Sequence, residues 1–227
     1  MGDEPSGITR RRALALCGGA VVVSAAALLA RPDRSEQNPT YGVTRYQYGD
    51  DPSQFGDLYL PTGPRRPGMM VLIHGGFWRA AYGLELNAPI AGDLAQRGWT
   101  VWNLEYRRLG NGGGWPQTFE DVAAGADHLE QMAARGIDVD LDHVVAIGHS
   151  AGGQLAAWLA GRRALSGHLP GVDPAVEISA VVSQAGVLDL SLAVHRGLGG
   201  GAVPELVGGT LRERPARYDA VDPTRQV

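Results

Sequence analysis

A serine set among glycines is the first place in this sequence where chemistry could occur. Gly148-His149-Ser150-Ala151-Gly152, followed by Gly153, separates the apolar run His143 to Ile147 from the alanine-rich segment Ala151 to Leu165. A G-x-S-x-G at a strand-to-helix junction is a nucleophile elbow. The strained turn lifts the hydroxyl above the sheet, and only glycines leave room around it. The same turn leaves the Ala151 amide at a helix N-terminus, where the dipole favours an anion. A second unusual stretch, His74-Gly75-Gly76-Phe77-Trp78, directly follows the apolar run Met69 to Ile73. Glycine lets such a loop fold back so that its N–H groups face a developing oxyanion. Taken singly, the first stretch also reads as a glycine-rich turn with an incidental serine, and the second as a tight turn closing on a buried histidine. Taken together, an oxyanion loop and an elbow are complementary halves of one site.

Strand-like and helix-like segments alternate around these motifs. Val43 to Tyr48 and Phe55 to Leu60 predict edge strands or a hairpin. Met69 to Ile73, Thr100 to Tyr106, His143 to Ile147 and Ala180 to Gln184 predict buried strands. Between them, Asn87 to Arg97 and Phe119 to Ala134 predict helices stopped by Gly98 and Gly136, and Ala151 to Leu165 predicts a third. Such alternation means a mostly parallel sheet with helices on both faces, which binds ligands at the carboxyl ends of its strands. No internal repeat or second domain is legible.

Composition removes several chemistries. All 20 basic residues are arginine, so neither a lysine Schiff base nor a Walker A phosphate loop is available. One cysteine, Cys17, excludes an internal disulfide, a zinc ribbon and a CxxC redox pair. A net charge of −4 argues against nucleic acid as a partner, since that needs a dense cationic face. Asp138-x-Asp140-x-Asp142 starts like a calcium loop, but His143 and His149 replace its required glycine and glutamate, so a turn is expected. The letters of a dinucleotide fingerprint at Gly197-Leu198-Gly199 follow no strand and predict a loop, with a place in a cap over the site as one reading. No metal or organic cofactor is implied.

These motifs together resemble the α/β-hydrolase superfamily, in particular the esterases and kynurenine formamidases with an HGG-aromatic-Trp loop and a GHSAGG elbow. The resemblance runs from about Tyr41 to the C-terminus. It includes Asp57-Leu58-Tyr59-Leu60-Pro61, Asn103 through Arg108, Gly112-Gly113-Gly114-Trp115-Pro116 and Asp121-Val122, in the family's order. It implies an α/β-hydrolase fold over residues 41–227 and hydrolysis of a small-molecule carboxylic ester or aryl formamide. It implies Ser150 as nucleophile, oxyanion amides from Gly75, Gly76 and Ala151, with Phe77 as a further donor, and a pocket shaped by Phe77 and Trp78. Glu105, Arg107 and Arg108 read as braces of the strand end.

The family's acid and histidine base come after two further strands, and no such strands are legible beyond Gln184. The expectation is therefore a chain whose last strands are missing, or one that has lost its base. A binding protein that keeps the pocket without turnover, or an inactive truncated hydrolase, is the alternative function. Of the six histidines, His195 with Asp189 is the least implausible substitute dyad. Residues 1–36 are set aside as a leader. Arg10-Arg11-Arg12 before an apolar run to Ala30 resembles a twin-arginine export signal, with an uncleaved membrane anchor as the alternative. Export to the cell envelope or beyond is the expected location.

Overall fold

The apolar pentapeptide Met69–Ile73 must be covered on two sides, because successive side chains of a strand point to opposite faces. In the computed structural model, which describes residues 40–226, it is a strand buried throughout. Met69, Val71 and Ile73 join one hydrophobic cluster with Trp102, Phe119, Val122 and Leu155. Met70 and Leu72 join another with Tyr59, Ala91, Ala95 and Val101. This period-two partition makes the sheet the middle of three layers.

Six strands form that sheet among the described residues: β1 (Tyr41–Gln47), β2 (Phe55–Pro61), β3 (Met69–Ile73), β4 (Thr100–Leu104), β5 (Val144–His149) and β6 (Ala180–Gln184), in the order β1-β2-β4-β3-β5-β6. β1 and β2 are an antiparallel pair, and β2 lies antiparallel to β4, so the expected hairpin forms one edge. The β4-β3-β5-β6 block is parallel. Helix α1 (Ala88–Gln96) supplies Ala91 and Ala95 to one face, while α2 (Gln117–Ala134) and α3 (Ala151–Gly161) cover the other. Three short helices follow β6: α4 (Leu190–His195), α5 (Ala202–Val207) and α6 (Pro215–Val221). They add Leu190, Val203, Leu206 and Tyr218 to the α2–α3 side of the core. Two buried hydrogen bonds tie α6 to α3, from Trp158 Nε1 to the Ala220 carbonyl (3.0 Å) and from Gln154 Nε2 to the Val221 carbonyl (2.8 Å).

Three sequence expectations need correction. Ala180 to Gln184 reads as a buried strand, yet β6 is alternately exposed and half-buried, with Val182 44% exposed. It pairs with β5 alone among the described residues, so its second side has no covering strand. The strand expected to reach Tyr106 ends at Leu104, because the Tyr106 N–H turns to the Glu105 carboxylate (2.9 Å). The helix expected to run to Leu165 stops at Gly161 and tightens into a 3₁₀ turn, Arg162–Ala164. The leader over residues 1–36 lies outside the described residues. Among those described, no helix is long and apolar enough to cross a membrane.

Candidate active site

Ser150 stands between β5 and α3 with φ 55° and ψ −119°, a backbone conformation that a residue with a Cβ adopts only under strain. Neighbouring backbone imposes it. A Cβ on Gly152 would lie 2.1 Å from the Ile73 carbonyl oxygen, so the first turn of α3 can sit on the end of β3 only with glycine there. The Ser150 N–H donates to the Gln184 carbonyl (2.8 Å), and its carbonyl accepts from the Gly153 N–H (3.0 Å). The elbow is thereby tied to β6 and to its own helix.

The His74-Gly75-Gly76 loop packs directly against this turn. A Cβ on Gly75 would come within 2.6 Å of the His149 carbonyl oxygen. Gly76, Phe77 and Trp78 all have positive φ, at 110°, 52° and 55°, so the loop coils back rather than running on. Among the described residues, no acceptor is hydrogen-bonded to the amides of Gly76, Phe77 or Ala151. Unpaired N–H groups on two elements beside one serine form a place where negative charge on oxygen would be stabilised.

A buried carboxylate holds the loop. Glu105, just past β4, accepts from His74 Nε2 (3.0 Å), the Leu84 N–H (3.0 Å) and the Tyr106 N–H, and pairs with Arg108 Nη1 (3.1 Å). His74 is fully buried; its Nδ1–H donates to the Gly75 carbonyl (2.9 Å), and Tyr106 stacks on its ring at 4.4 Å. Both imidazole nitrogens are thus engaged, one within the loop and one by Glu105, and His74 is a structural group. Arg108 also donates to the Tyr82 carbonyl, which fixes the next segment of chain. Glu105 and Arg108 act as the expected braces. Arg107 braces from the other side, with three hydrogen bonds from its backbone and guanidinium to the buried Asp121 (2.6–2.9 Å).

Ser150 opens into a cleft of about 510 Å³. Gly75, Gly76 and Phe77 line it from the loop, His149 and Ser150 from the elbow, and Gln184 from the end of β6. The remaining wall is Tyr82, Leu86 and Asn87, from the chain that leads into α1, and Ile90 from its first turn. Of the sequence-predicted residues, the structure brings Ser150, Gly75, Gly76 and Phe77 to one cleft, with Ala151 buried directly behind. Trp78 is not part of it. Expected in the pocket wall, it is fully buried in the core, with its indole N–H donating to Gln154 Oε1 (3.1 Å). Its backbone turn points it inward, where a large aromatic contributes more by burial than at the rim.

The substitute dyad does not form. Asp189 caps α4 by accepting from the Leu192 N–H (2.7 Å), and His195 stands at the opposite end of that helix. Neither lines the cleft. His128 is buried beside Trp102, ring centroids 6.4 Å apart, and burial lowers its pKa below the ordinary value. All six histidines lie among the described residues, and none hydrogen-bonds the Ser150 hydroxyl. No group of three or more His, Cys, Asp or Glu among the described residues could hold a metal ion. The Asp138–Asp142 stretch is a turn, in which Asp140 accepts from the Gly68 and Asp142 N–H groups.

Sequence reasoning missed the wall from Tyr82 to Ile90. The available signal was the recurrence of Tyr82, Leu86 and Ile90 at four-residue spacing, and in the structure all three are more than 40% exposed.

Two predictions follow from this geometry. Burial opposes ionisation of Glu105, yet the hydrogen bond and charge of His74, with Arg108 and the Tyr106 N–H, hold its carboxyl below the ordinary value of 4.5. A carboxyl lowered by folding stabilises the fold fully above that ordinary value, and the contribution is lost as pH falls through the lower, folded one. Urea denaturation should therefore show stability declining below about pH 4.5, with a shallower decline in Glu105→Gln. The second concerns strain. Ser150→Gly should be about 1–2 kcal/mol more stable than Ser150→Ala, because only glycine adopts this backbone conformation without cost. Equal stabilities in thermal melts would contradict the strained elbow.

Comparison with known proteins agrees with this architecture. Residues 56–227 match the family model described as BD-FAE. A curated relative, the probable isoprenylcysteine alpha-carbonyl methylesterase of Oryza sativa subsp. japonica, is 32% identical over 116 residues, covering 48% of this chain and 26% of that protein. Among solved structures, esterase B from Lactobacillus rhamnosis superposes with a TM-score of 0.68 at 27% identity, covering 84% of this chain and 62% of that one. A truncated carbohydrate esterase from gut microbiota, at 22% identity and a TM-score of 0.67, covers 84% of this chain and 74% of its own, and shows likeness of fold. The chain spans about a quarter of the length of the curated relative it matches. With the elbow, the glycine loop and the parallel sheet in place, this chain belongs to the BD-FAE family and has the α/β-hydrolase fold.

Proposed function

We propose that the protein is a serine hydrolase acting on small-molecule carboxylic esters. The observation that carries this reading is the strained Ser150 open to a cleft, with unpaired amides on the adjoining loop and helix start. In the proposed reaction the Ser150 hydroxyl attacks the ester carbonyl carbon and its proton passes to a base. The resulting oxyanion is held by amides of the Gly75–Phe77 loop and Ala151. Collapse breaks the bond to the alcohol, which leaves with a proton, and water then releases the acyl group from the serine. Phe77, Tyr82, Leu86 and Ile90 make an apolar wall suited to a small acyl or alcohol group. The relatives of 27–32% identity are named as esterases, which favours an ester over an aryl formamide.

A second reading, a binding protein that turns nothing over, is favoured by one observation: no histidine hydrogen-bonds the Ser150 hydroxyl in this arrangement. A serine without a base within reach is a weak nucleophile. A fluorophosphonate probe separates the two readings. Covalent labelling of the folded chain, seen by intact mass and absent in Ser150→Ala, is the outcome expected of a hydrolase. A folded chain that stays unlabelled overturns the hydrolase in favour of binding.

We further propose that the protein is exported, on the strength of Arg10-Arg11-Arg12 followed by a largely apolar run to Ala30. Expressed from its own gene in a bacterium with a twin-arginine translocase, the chain should appear in the envelope or medium. Replacing Arg10 to Arg12 by glutamine should retain it in the cytoplasm, and an unchanged distribution would remove the export reading.

A further inference from the structure

Asn87 stands out in the cleft wall. It occupies the position before α1, where an asparagine side chain ordinarily accepts a hydrogen bond from the helix's first free N–H groups. Here it makes no capping hydrogen bond. Its own backbone is already helical (φ −93°, ψ −10°), which turns the side chain away from that role. The residue is only 7% exposed, its Nδ2 is buried with no hydrogen-bond partner among the described residues, and it lines the Ser150 cleft. Tyr82, Leu86 and Ile90, which share this wall of the cleft, present mainly apolar surface. Asn103 Oδ1 is also buried without a partner, but its own amide donates to the Leu84 carbonyl, and no hydrogen bond joins it to Asn87. A buried amide nitrogen without a partner costs free energy that a leucine of nearly the same shape would not.

We propose that Asn87 is a specificity-determining residue. Its amide pairs with a hydrogen-bonding oxygen carried by an otherwise apolar group of the ligand bound in this cleft. The terminal torsion of an asparagine is soft, so either the donor or the acceptor end of the amide can turn to meet a hydroxyl or an ether or carbonyl oxygen. A site that holds an unpaired polar group in an apolar wall selects ligands that complete it and rejects analogues that leave it unpaired. The segment is also well held for this purpose. The Leu84 N–H is anchored on Glu105 (3.0 Å), and the Leu84 carbonyl accepts from Asn103 Nδ2 (2.9 Å). These bonds set the 3₁₀ turn Leu84–Asn87, and with it the position of the amide.

The proposal rests on the reading of the Ser150 cleft as the ligand site, and it is tested by binding rather than turnover. Hexanamide and its 4-, 5- and 6-hydroxy derivatives are titrated against the full-length protein by ligand-observed NMR, with Ser150→Ala as a background that cannot react. At least one hydroxylated ligand should bind about tenfold more tightly than hexanamide, the size of one added hydrogen bond to a desolvated partner. In Asn87→Leu that preference should vanish while hexanamide binds at least as well as before. Asn87→Ala serves as the second variant, and a cooperative thermal melt establishes that each is folded. A preference that persists in both variants, or no preference for any hydroxylated ligand, overturns the proposal. An Asn87-dependent preference in a protein that fluorophosphonate does not label would uphold Asn87 and overturn the hydrolase reading, so the two fail separately.

Discussion

One buried carboxylate organises the ground around Ser150. Glu105 sits at the end of β4 and accepts hydrogen bonds from His74 in the glycine loop, from the Leu84 amide and from Tyr106, while Arg108 balances its charge. A carboxylate taken out of water is costly unless nearly every lone pair finds a donor, and hydrogen bonds to a charged group contribute roughly 1.5–3 kcal/mol each. The donors come from separate stretches of chain, so satisfying this one group fixes the glycine loop and the cleft wall relative to one another. The loop's positive φ angles and the wall's 3₁₀ turn are conformations that short segments would not keep alone.

The elbow is held by a different means, close backbone approach. Gly152 lies on the carbonyl ends of β3, and the Gly75 loop lies on the His149 carbonyl. No side chain fits at either contact. Charge pairing therefore positions the loop from behind, and steric exclusion brings it against the serine from the front. What results is the Ser150 side chain beside unpaired amides, facing a largely apolar wall in which Asn87 holds a buried amide nitrogen without a partner. The core supports both devices: Trp78, two residues past Gly76, is buried and hydrogen-bonded to Gln154 of α3, which in turn reaches the last helix.

Much of this was legible in the residues, and for physical reasons. A continuous apolar pentapeptide has few stable homes besides a strand covered on both faces, so β3 and β5 and the parallel sheet could be read directly. The glycines of both motifs mark positions where backbone must approach backbone, a local requirement that leaves its mark in residue type. Trp78 was misplaced because an aromatic beside a site serves equally as wall or as core, and only the direction of a left-handed turn chooses between them. The apolar content of β6 gave no sign of its exposure, because burial of a strand depends on what lies beyond it rather than on its own composition.

The amino-acid sequence by itself determined the elements, their alternation, the strained serine elbow and the glycine loop, since each is set by local spacing and by the room that glycine leaves. It also carried the match to the BD-FAE family over residues 56–227. Only the tertiary structure decided that Glu105 links the loop to the wall, that the chain leading into α1 closes the cleft, and that Asp189 spends its carboxylate on a helix cap. It alone decided that Asn87 gives up its cap to line the cleft. These are contacts between residues far apart in sequence or turned by a backbone angle, and no local pattern encodes where such partners will meet.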